Sequence, residues 1–376
     1  MLIMDRAGES CKATKQITGG NMKYVQLGNT GVFVSRLCLG AMTFGGSENA
    51  VTTAIGRLSQ NETNTIVGDA LAAGINFIDT ADVYGGGASE QRLAAALKGH
   101  RHDVVLATKA SGRMGSGPNQ IGQSRLHLME AVEGSLKRLQ TDHIDLYQIH
   151  NFDPLVPLED VMRTLDDLVR QGKVRYIGCS NFAAWQLMKA MGISERNNFA
   201  RFASIQSFYS LAARDIEREL IPAIDDQKLG LLCWSPLAGG LLSGKFDRTG
   251  SSDPNSRRAT IQFPPVDESR AFDVIEVLKA IAIRHTTSAA QVALAWLLAQ
   301  PQVTSVISGV KSSVQLADNL AAMELVLEND DMLKLEEVSR PAPSYPGWIQ
   351  TYNAKGRVPA GHPFNGKSWQ LGETPI

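Results

Sequence analysis

The sequence predicts a (β/α)8 TIM barrel, eight parallel strands closed into a ring and wrapped by helices, with an N-terminal β-hairpin and a long loop after the seventh strand. Three observations predict it. Eight short runs rich in β-branched and apolar residues recur along the 376-residue chain, which is 43% hydrophobic and so long enough to bury a large core. An amphipathic stretch of helical period follows each run, and repeated βα units imply a parallel sheet. Polar or ionisable residues end nearly every run while the run bodies stay apolar, as expected of barrel strands that carry a site at their C-terminal ends.

The elements follow in order. "KYVQLGNTGVFVS" (23–35) reads as a hairpin ahead of the first barrel strand. The strands are 34–40, 76–81, 103–110, 143–150, 174–181, 202–210, 231–238 and 303–309. Helices are expected at 61–73, 88–98, 124–140, 157–173, 182–192, 215–228, 269–284, 288–300 and 313–325. Ser124 is suited to cap the helix that buries Leu128, Val132, Leu136 and Leu139. Pro157 and Gly172 bracket another helix in the order that helices prefer. The polar segment 239–268 is too long for a simple connection and is read as a functional lid. The barrel domain spans 22–340, preceded by a disordered extension, 1–21, and followed by an irregular tail, 341–376.

Charge and cysteine usage exclude several classes. Lys plus Arg is 37 against 38 for Asp plus Glu, so wholesale nucleic-acid binding is not expected and an anionic ligand needs a local basic patch. No apolar run reaches membrane-spanning length, and the first residues lack the apolar core of a signal peptide; Met22 reads as a natural start, and a cytoplasmic protein is expected. Cys11, Cys38, Cys179 and Cys233 show no CxxC or zinc spacing, so reduced thiols and no metal are expected.

The strand ends carry the chemistry. The second strand delivers Asp79, with Tyr84 in the loop beyond; the third ends in Lys109, the fourth in His150, and the fifth in Ser180 and Asn181. Gln206 lies on the sixth, Trp234 and Ser235 on the seventh, and the eighth runs into Gly309 and Lys311. Each has an ordinary structural reading, as turn acid, rim charge, strand cap or core aromatic, but one rim collects Asp, Tyr, Lys and His together. An ammonium beside a phenol favours the phenolate and lowers its pKa, and a carboxylate lets that ammonium sit partly buried. Tyr84 then serves as a general acid while His150 holds a carbonyl oxygen. The set suits adding hydride and proton to C=O, with the hydride drawn from a cofactor, because no side chain supplies one. Asp82 is read as a bystander, hydrogen-bonding in the turn.

"IDTADVYG", "ATK", "YQIHNFD", "YIGCSNF", "SIQSFYS", "WSPLAGGLLSGK" and "KSSVQLADNL" occur in an order and spacing that resemble the aldo-keto reductase superfamily, from about Lys23 to Arg340. The resemblance implies a catalytic tetrad of Asp79, Tyr84, Lys109 and His150. It implies that Ser180, Asn181 and Gln206 hold a nicotinamide amide, that Trp234 stacks on the ring, and that Met42 touches the nicotinamide side. A Trp at that position is similar to the branch holding bacterial reductases and potassium-channel β-subunits. Ser235, Pro236, Leu237, Gly239, Gly240 and Lys245 match the diphosphate loop, with Gly309 beside the cofactor and Asp318 and Asn319 at adenine. Lys311, Ser312 and Ser313 make a small anion site at a helix start, suited to the 2′-phosphate of NADP(H), which is favoured over NAD(H). Gln315 stands where many members carry Arg, and Arg257 or Arg258 of the lid adds charge.

The function so implied is reversible NADPH-dependent reduction of an aldehyde or ketone, with a small-molecule carbonyl or alcohol as the partner. Two rivals stand beside it: a non-catalytic NADP-binding regulatory subunit, and a lyase using Lys109 as a Schiff base. His150 argues against the first, since channel subunits typically carry Asn there. Asp79 argues against the second, since a Schiff-base lysine must lose its proton. Phe44, Phe152, Trp185 and Trp348 are candidate walls of an apolar cleft.

Overall fold

The computed structural model describes residues 22–46, 50–251 and 256–354. The expected extension, 1–21, and the tail beyond 354 lie outside them. A hairpin, β1 (Tyr24–Gln26) and β2 (Phe33–Ser35), precedes eight strands that close into one parallel barrel: β3 (Leu37–Gly40), β4 (Phe77–Asp79), β5 (Val105–Ala110), β6 (Ile144–Ile149), β7 (Val174–Ser180), β8 (Phe202–Phe208), β9 (Gly230–Trp234) and β12 (Val303–Gly309). Closure is made by β12, which pairs with β3 on one side and β9 on the other. A short ribbon, β10 (Phe246–Asp247) and β11 (Gly250–Ser251), lies within the long segment after β9.

The outer ring comprises α2 (Gln60–Ala72), α3 (Ala88–Ala96), α4 (Arg125–Leu139), α5 (Leu158–Arg170), α6 (Ala184–Asn197), α7 (Leu220–Gln227), α9 (Glu268–Arg284), α10 (Ala289–Ala299) and α11 (Ser313–Ala321). Local chemistry sets their ends. Ser124 accepts from the His127 N–H at the start of α4, and a reciprocal Ser59–Glu62 box opens α2. α5 starts after Pro157, and Gly172 follows its end with φ +74°.

The floor explains the ceiling. Cys38, Phe77, Ala107, Leu146, Leu232 and Ile307 form one apolar layer inside the barrel, plugged from below by Leu27 and Val34 of the hairpin. Side chains alternate along a strand with period two, so the next inward position lies two residues on. From those six residues it is Gly40, Asp79, Lys109, Gln148, Trp234 and Gly309. A dry floor thus carries a polar layer at the C-terminal mouth.

Several elements differ from the sequence reading. The run 34–40 is two strands, because the chain leaves the hairpin at Ser35 and enters the barrel at Leu37. The stretch 215–228 opens as a short 3-10 turn at Asp215–Glu217 before α7. Outside the long segment after β9, three helices among the described residues were not anticipated: α1 (Ala50–Ile55), α12 (Asn329–Ser339) and α13 (Gly347–Ala354). The last corrects the irregular tail expected after 341. The lid is also structured, with α8 (Arg257–Thr260) beyond the β10–β11 ribbon. No helix among the described residues is long and apolar enough to cross a membrane.

Candidate active site

The mouth brings Asp79, Tyr84, Lys109 and His150 together. Asp79 ends β4, and the turn of glycines 85–87 beyond it presents Tyr84. The Lys109 ammonium, fully buried, donates to Asp79 Oδ2 at 2.5 Å, to the Thr80 carbonyl at 2.9 Å and to the Tyr84 hydroxyl at 3.3 Å. Its Nζ also sits 4.9 Å from the centre of the Tyr84 ring. The His150 and Tyr84 rings meet edge to face, 5.7 Å apart.

Electrostatics sort the four by role. Burial alone would favour losing the Lys109 proton, but Asp79 and Tyr84 outweigh it, and the lysine pKa stands above its ordinary value. His150 is pushed down to about 3, by burial first and then by Lys109, so its imidazole is neutral at working pH. The structure corrects one expectation for Tyr84. Lys109 does favour the phenolate, but burial outweighs it and the phenol pKa is raised. Arg257 of the lid, half-buried with its Nε unbonded, acts on Tyr84 in the same sense as Lys109.

The residues expected to hold a nicotinamide amide surround this group. Ser180 is buried with an unsatisfied hydroxyl. Gln206 donates to Asp79 Oδ1 at 2.8 Å. Asn181 donates to the His150 carbonyl at 3.0 Å and accepts from Trp234 Nε1 at 3.0 Å. Trp234 stacks on Phe208 at 4.9 Å and lies parallel to Phe263 of the lid at 5.9 Å. Met42 lies at the same mouth, in the turn after β3. An unsatisfied buried hydroxyl beside two ordered amides and a tryptophan fits a flat carboxamide-bearing ring.

The loop from Ser235 through Pro236 and Leu237 has the backbone shape an anion cradle needs. Ser235, Ala238, Gly239 and Gly240 all have positive φ, and space around Gly240 is open. Gly239 is obligatory, since a Cβ there would lie 2.3 Å from the Phe263 carbonyl. Lys245 is exposed just beyond. The far end is more committed than expected. The Lys311 ammonium donates to the Ala54 carbonyl at 2.8 Å; at the start of α11 the Ser312 hydroxyl accepts from the Gln315 N–H, and Gln315 Oε1 accepts from the Lys311 N–H. Asp318 accepts from Gln291 at 2.6 Å, and Asn319 donates to Ser308 at 2.7 Å. Gly309 is exposed at the end of β12. Arg258 is buried, donating to the Pro264 carbonyl at 2.9 Å, and so braces the lid from within, whereas Arg257 faces the mouth.

Two residues carry more than the sequence reading gave them. Gln148, not singled out, donates to Asp79 Oδ1 at 3.0 Å; its signal was a lone amide on the Leu146–His150 face of an apolar strand. Asp82 is more than a bystander in the turn: it is fully buried, its N–H donates to the Lys109 carbonyl at 3.1 Å, and neither carboxylate oxygen has a well-formed hydrogen bond. Among the proposed walls, Phe44 belongs to the core, fully buried. Phe152 and Trp185 meet edge to face at 5.9 Å with Trp185 exposed, and Trp348 is exposed beside Tyr345.

Comparison with known proteins places the chain among relatives. The family model described as "Aldo/keto reductase family" matches residues 36–340. An uncharacterized oxidoreductase, YrpG, of Bacillus subtilis (strain 168) is 38% identical over 84% of this chain and 96% of its own. Versiconal hemiacetal acetate reductase of Aspergillus parasiticus is 33% identical over 87% of this chain and 99% of its own. A probable voltage-gated potassium channel subunit beta of Oryza sativa subsp. japonica is 33% identical over 86% of this chain and 98% of its own.

Proposed function

This chain belongs to the aldo/keto reductase family, and from that premise we propose that it reduces an aldehyde or ketone with NADPH, using Tyr84 as the proton donor. The observation that carries the reading is the buried Lys109 ammonium held between the Asp79 carboxylate and the Tyr84 hydroxyl. Bound NADPH supplies the hydride. Ser180, Asn181 and Gln206 hold its carboxamide, Trp234 backs its ring, and the loop 235–240 with Lys245 and Arg257 receives its diphosphate. Lys311 with Ser312 receives the 2′-phosphate.

The protein's own groups do the rest. His150, neutral, donates a hydrogen bond to the substrate carbonyl oxygen and fixes it near the Tyr84 hydroxyl. As negative charge develops on that oxygen, the Tyr84 proton transfers to it, and the nearby ammonium stabilises the phenolate left behind. Reversal of the same steps oxidises an alcohol. The Schiff-base alternative is disfavoured because Lys109 is held protonated. A neutral histidine poised over the tyrosine favours a working reductase over a purely regulatory role.

Titration with NADPH and NADH, read by quenching of Trp234 fluorescence, tests the cofactor site. Tight binding of NADPH with weak binding of NADH is expected; binding of neither refutes the reading. Tyr84→Phe should keep NADPH affinity within about twofold and lower carbonyl turnover by roughly a hundredfold to ten-thousandfold. Turnover at the wild-type rate would remove Tyr84 as the acid.

A further inference from the structure

Gln148 lies two residues below His150 on β6, fully buried, and opposite Lys109 in the β5–β6 register. Its amide does two things at once. Nε2 donates to Asp79 Oδ1 at 3.0 Å, and Oε1 accepts from Gln206 Nε2 at 3.3 Å. Gln206 Nε2 in turn donates to the same Asp79 oxygen at 2.8 Å. Three side chains from three strands thus close a hydrogen-bonded triangle directly behind the catalytic ion pair.

The direction of each bond is fixed by chemistry. A carboxylate ion-paired with Lys109 can only accept, so both glutamines must turn their NH2 groups toward it. Gln148 has its oxygen left for Gln206 alone. Gln206 has spent its NH2 on Asp79 and Gln148, and among the described residues its Oε1 accepts from none. A primary amide that is free to flip offers donor or acceptor equally; this one is held as an acceptor. Room for the device is provided by Gly178, the Gln148 partner on β7: a Cβ there would lie 3.3 Å from Gln148 Cγ and 3.0 Å from the Ser204 hydroxyl.

We propose that Gln148 is a positioning residue, which locks the Gln206 amide so that its carbonyl oxygen receives the NH2 of the nicotinamide carboxamide while the same amide steadies Asp79. The inference rests on the cofactor reading above and goes beyond it in assigning the lock. It acts on one feature of the ligand, the donor on the carboxamide, and a merely structural role would not select that feature.

The probe is a pair of ligands, NADP and its 3-acetylpyridine analogue, in which a methyl ketone replaces the carboxamide and the NH2 donor is gone. Both are titrated by tryptophan fluorescence without substrate. Wild-type protein should prefer NADP by about tenfold, the worth of one well-aligned hydrogen bond. Gln148→Met, which keeps the volume and removes both bonds, should cut that preference to within about twofold. Gln148→Asn, which keeps an amide but withdraws it by one methylene, should do the same and serves if Gln148→Met does not fold; thermal melting monitors folding of both. In a Gln206→Met background, replacing Gln148 should change the preference no further. An undiminished preference in the folded Gln148 variants overturns the lock while leaving the cofactor site intact. Failure of wild-type protein to bind either ligand overturns the cofactor reading, and the lock with it.

Discussion

Asp82, buried, and His150, half-buried, both lie at the candidate site, and they oppose each other in pH. Asp82 is raised from 3.8 to about 7, by burial first and then by Glu90, against the pull of the Val83 backbone N–H, Arg138 and Lys109. Glu90 itself is satisfied by Arg138 and Thr108, both at 2.6 Å, and the unbonded Tyr147 hydroxyl gives Asp82 no relief. Between those two pH values the folded protein keeps a proton that the unfolded chain releases, so stability falls as pH rises from about 4 to 7. His150 runs the other way: lowered from 6.5 to about 3, it refuses a proton that the unfolded chain binds, so stability rises with pH over that window. Asp82→Asn should remove only the falling limb. Its stability relative to wild type should therefore grow between pH 4 and 7 by on the order of 4 kcal/mol, on top of a pH-independent cost for the unsatisfied amide. Denaturant melts at pH 4 and 8 measure this; a pH-independent difference would mean that Asp82 is not the titrating group.

The hairpin shows what an element contributes and how far it was legible. Its turn passes so close beneath the barrel that a Cβ on Gly28 would lie 2.3 Å from the Ala203 carbonyl, at a backbone φ of +53°. Gly28→Ala should therefore lift Leu27 and Val34 off the barrel floor and cost roughly 2 kcal/mol or more in a denaturant melt; a change within about 0.5 kcal/mol would show that the plug is not tightly seated. The hairpin itself was readable, since "LGNTG" between alternating apolar residues is local turn chemistry. Its break from β3 at Arg36 was not, because that is fixed by distant partners, the Leu298 and Val303 carbonyls. The same division runs through the site. Asp79, Lys109 and His150 were visible because polar residues ended apolar runs. Gln148 had the same period-two signal but no chemistry of its own to draw notice. Asp82 was read as a bystander because its full burial depends on what packs around a turn, which one strand cannot reveal. The long segment after β9 was legible by length alone; that Arg258 braces it inward while Arg257 faces Tyr84 depends on contacts to Pro264 and Tyr84 across the fold.

At the scale of the whole molecule, the barrel closes by joining its first strand to its last, and Lys311 repeats that junction at the mouth. From the end of β12 its ammonium reaches the Ala54 carbonyl in α1, 257 residues earlier. The chain's net charge is −1, so a dinucleotide carrying several phosphates cannot be drawn by the molecule as a whole and must be held by charges placed at its rim. Lys311 can act there in two ways that a single substitution separates. If it receives a 2′-phosphate, Lys311→Ala should weaken NADPH by about tenfold to a hundredfold and NADH by less than about threefold, and the NADPH loss should shrink as salt is raised. If it serves only to latch α1 to the end of β12, both cofactors should weaken equally and salt should not matter, because neither the hydrogen bond to Ala54 nor its loss involves the phosphate. Parallel titrations of wild type and variant at two ionic strengths decide between them. The NADP preference stands or falls on the difference between the two cofactors.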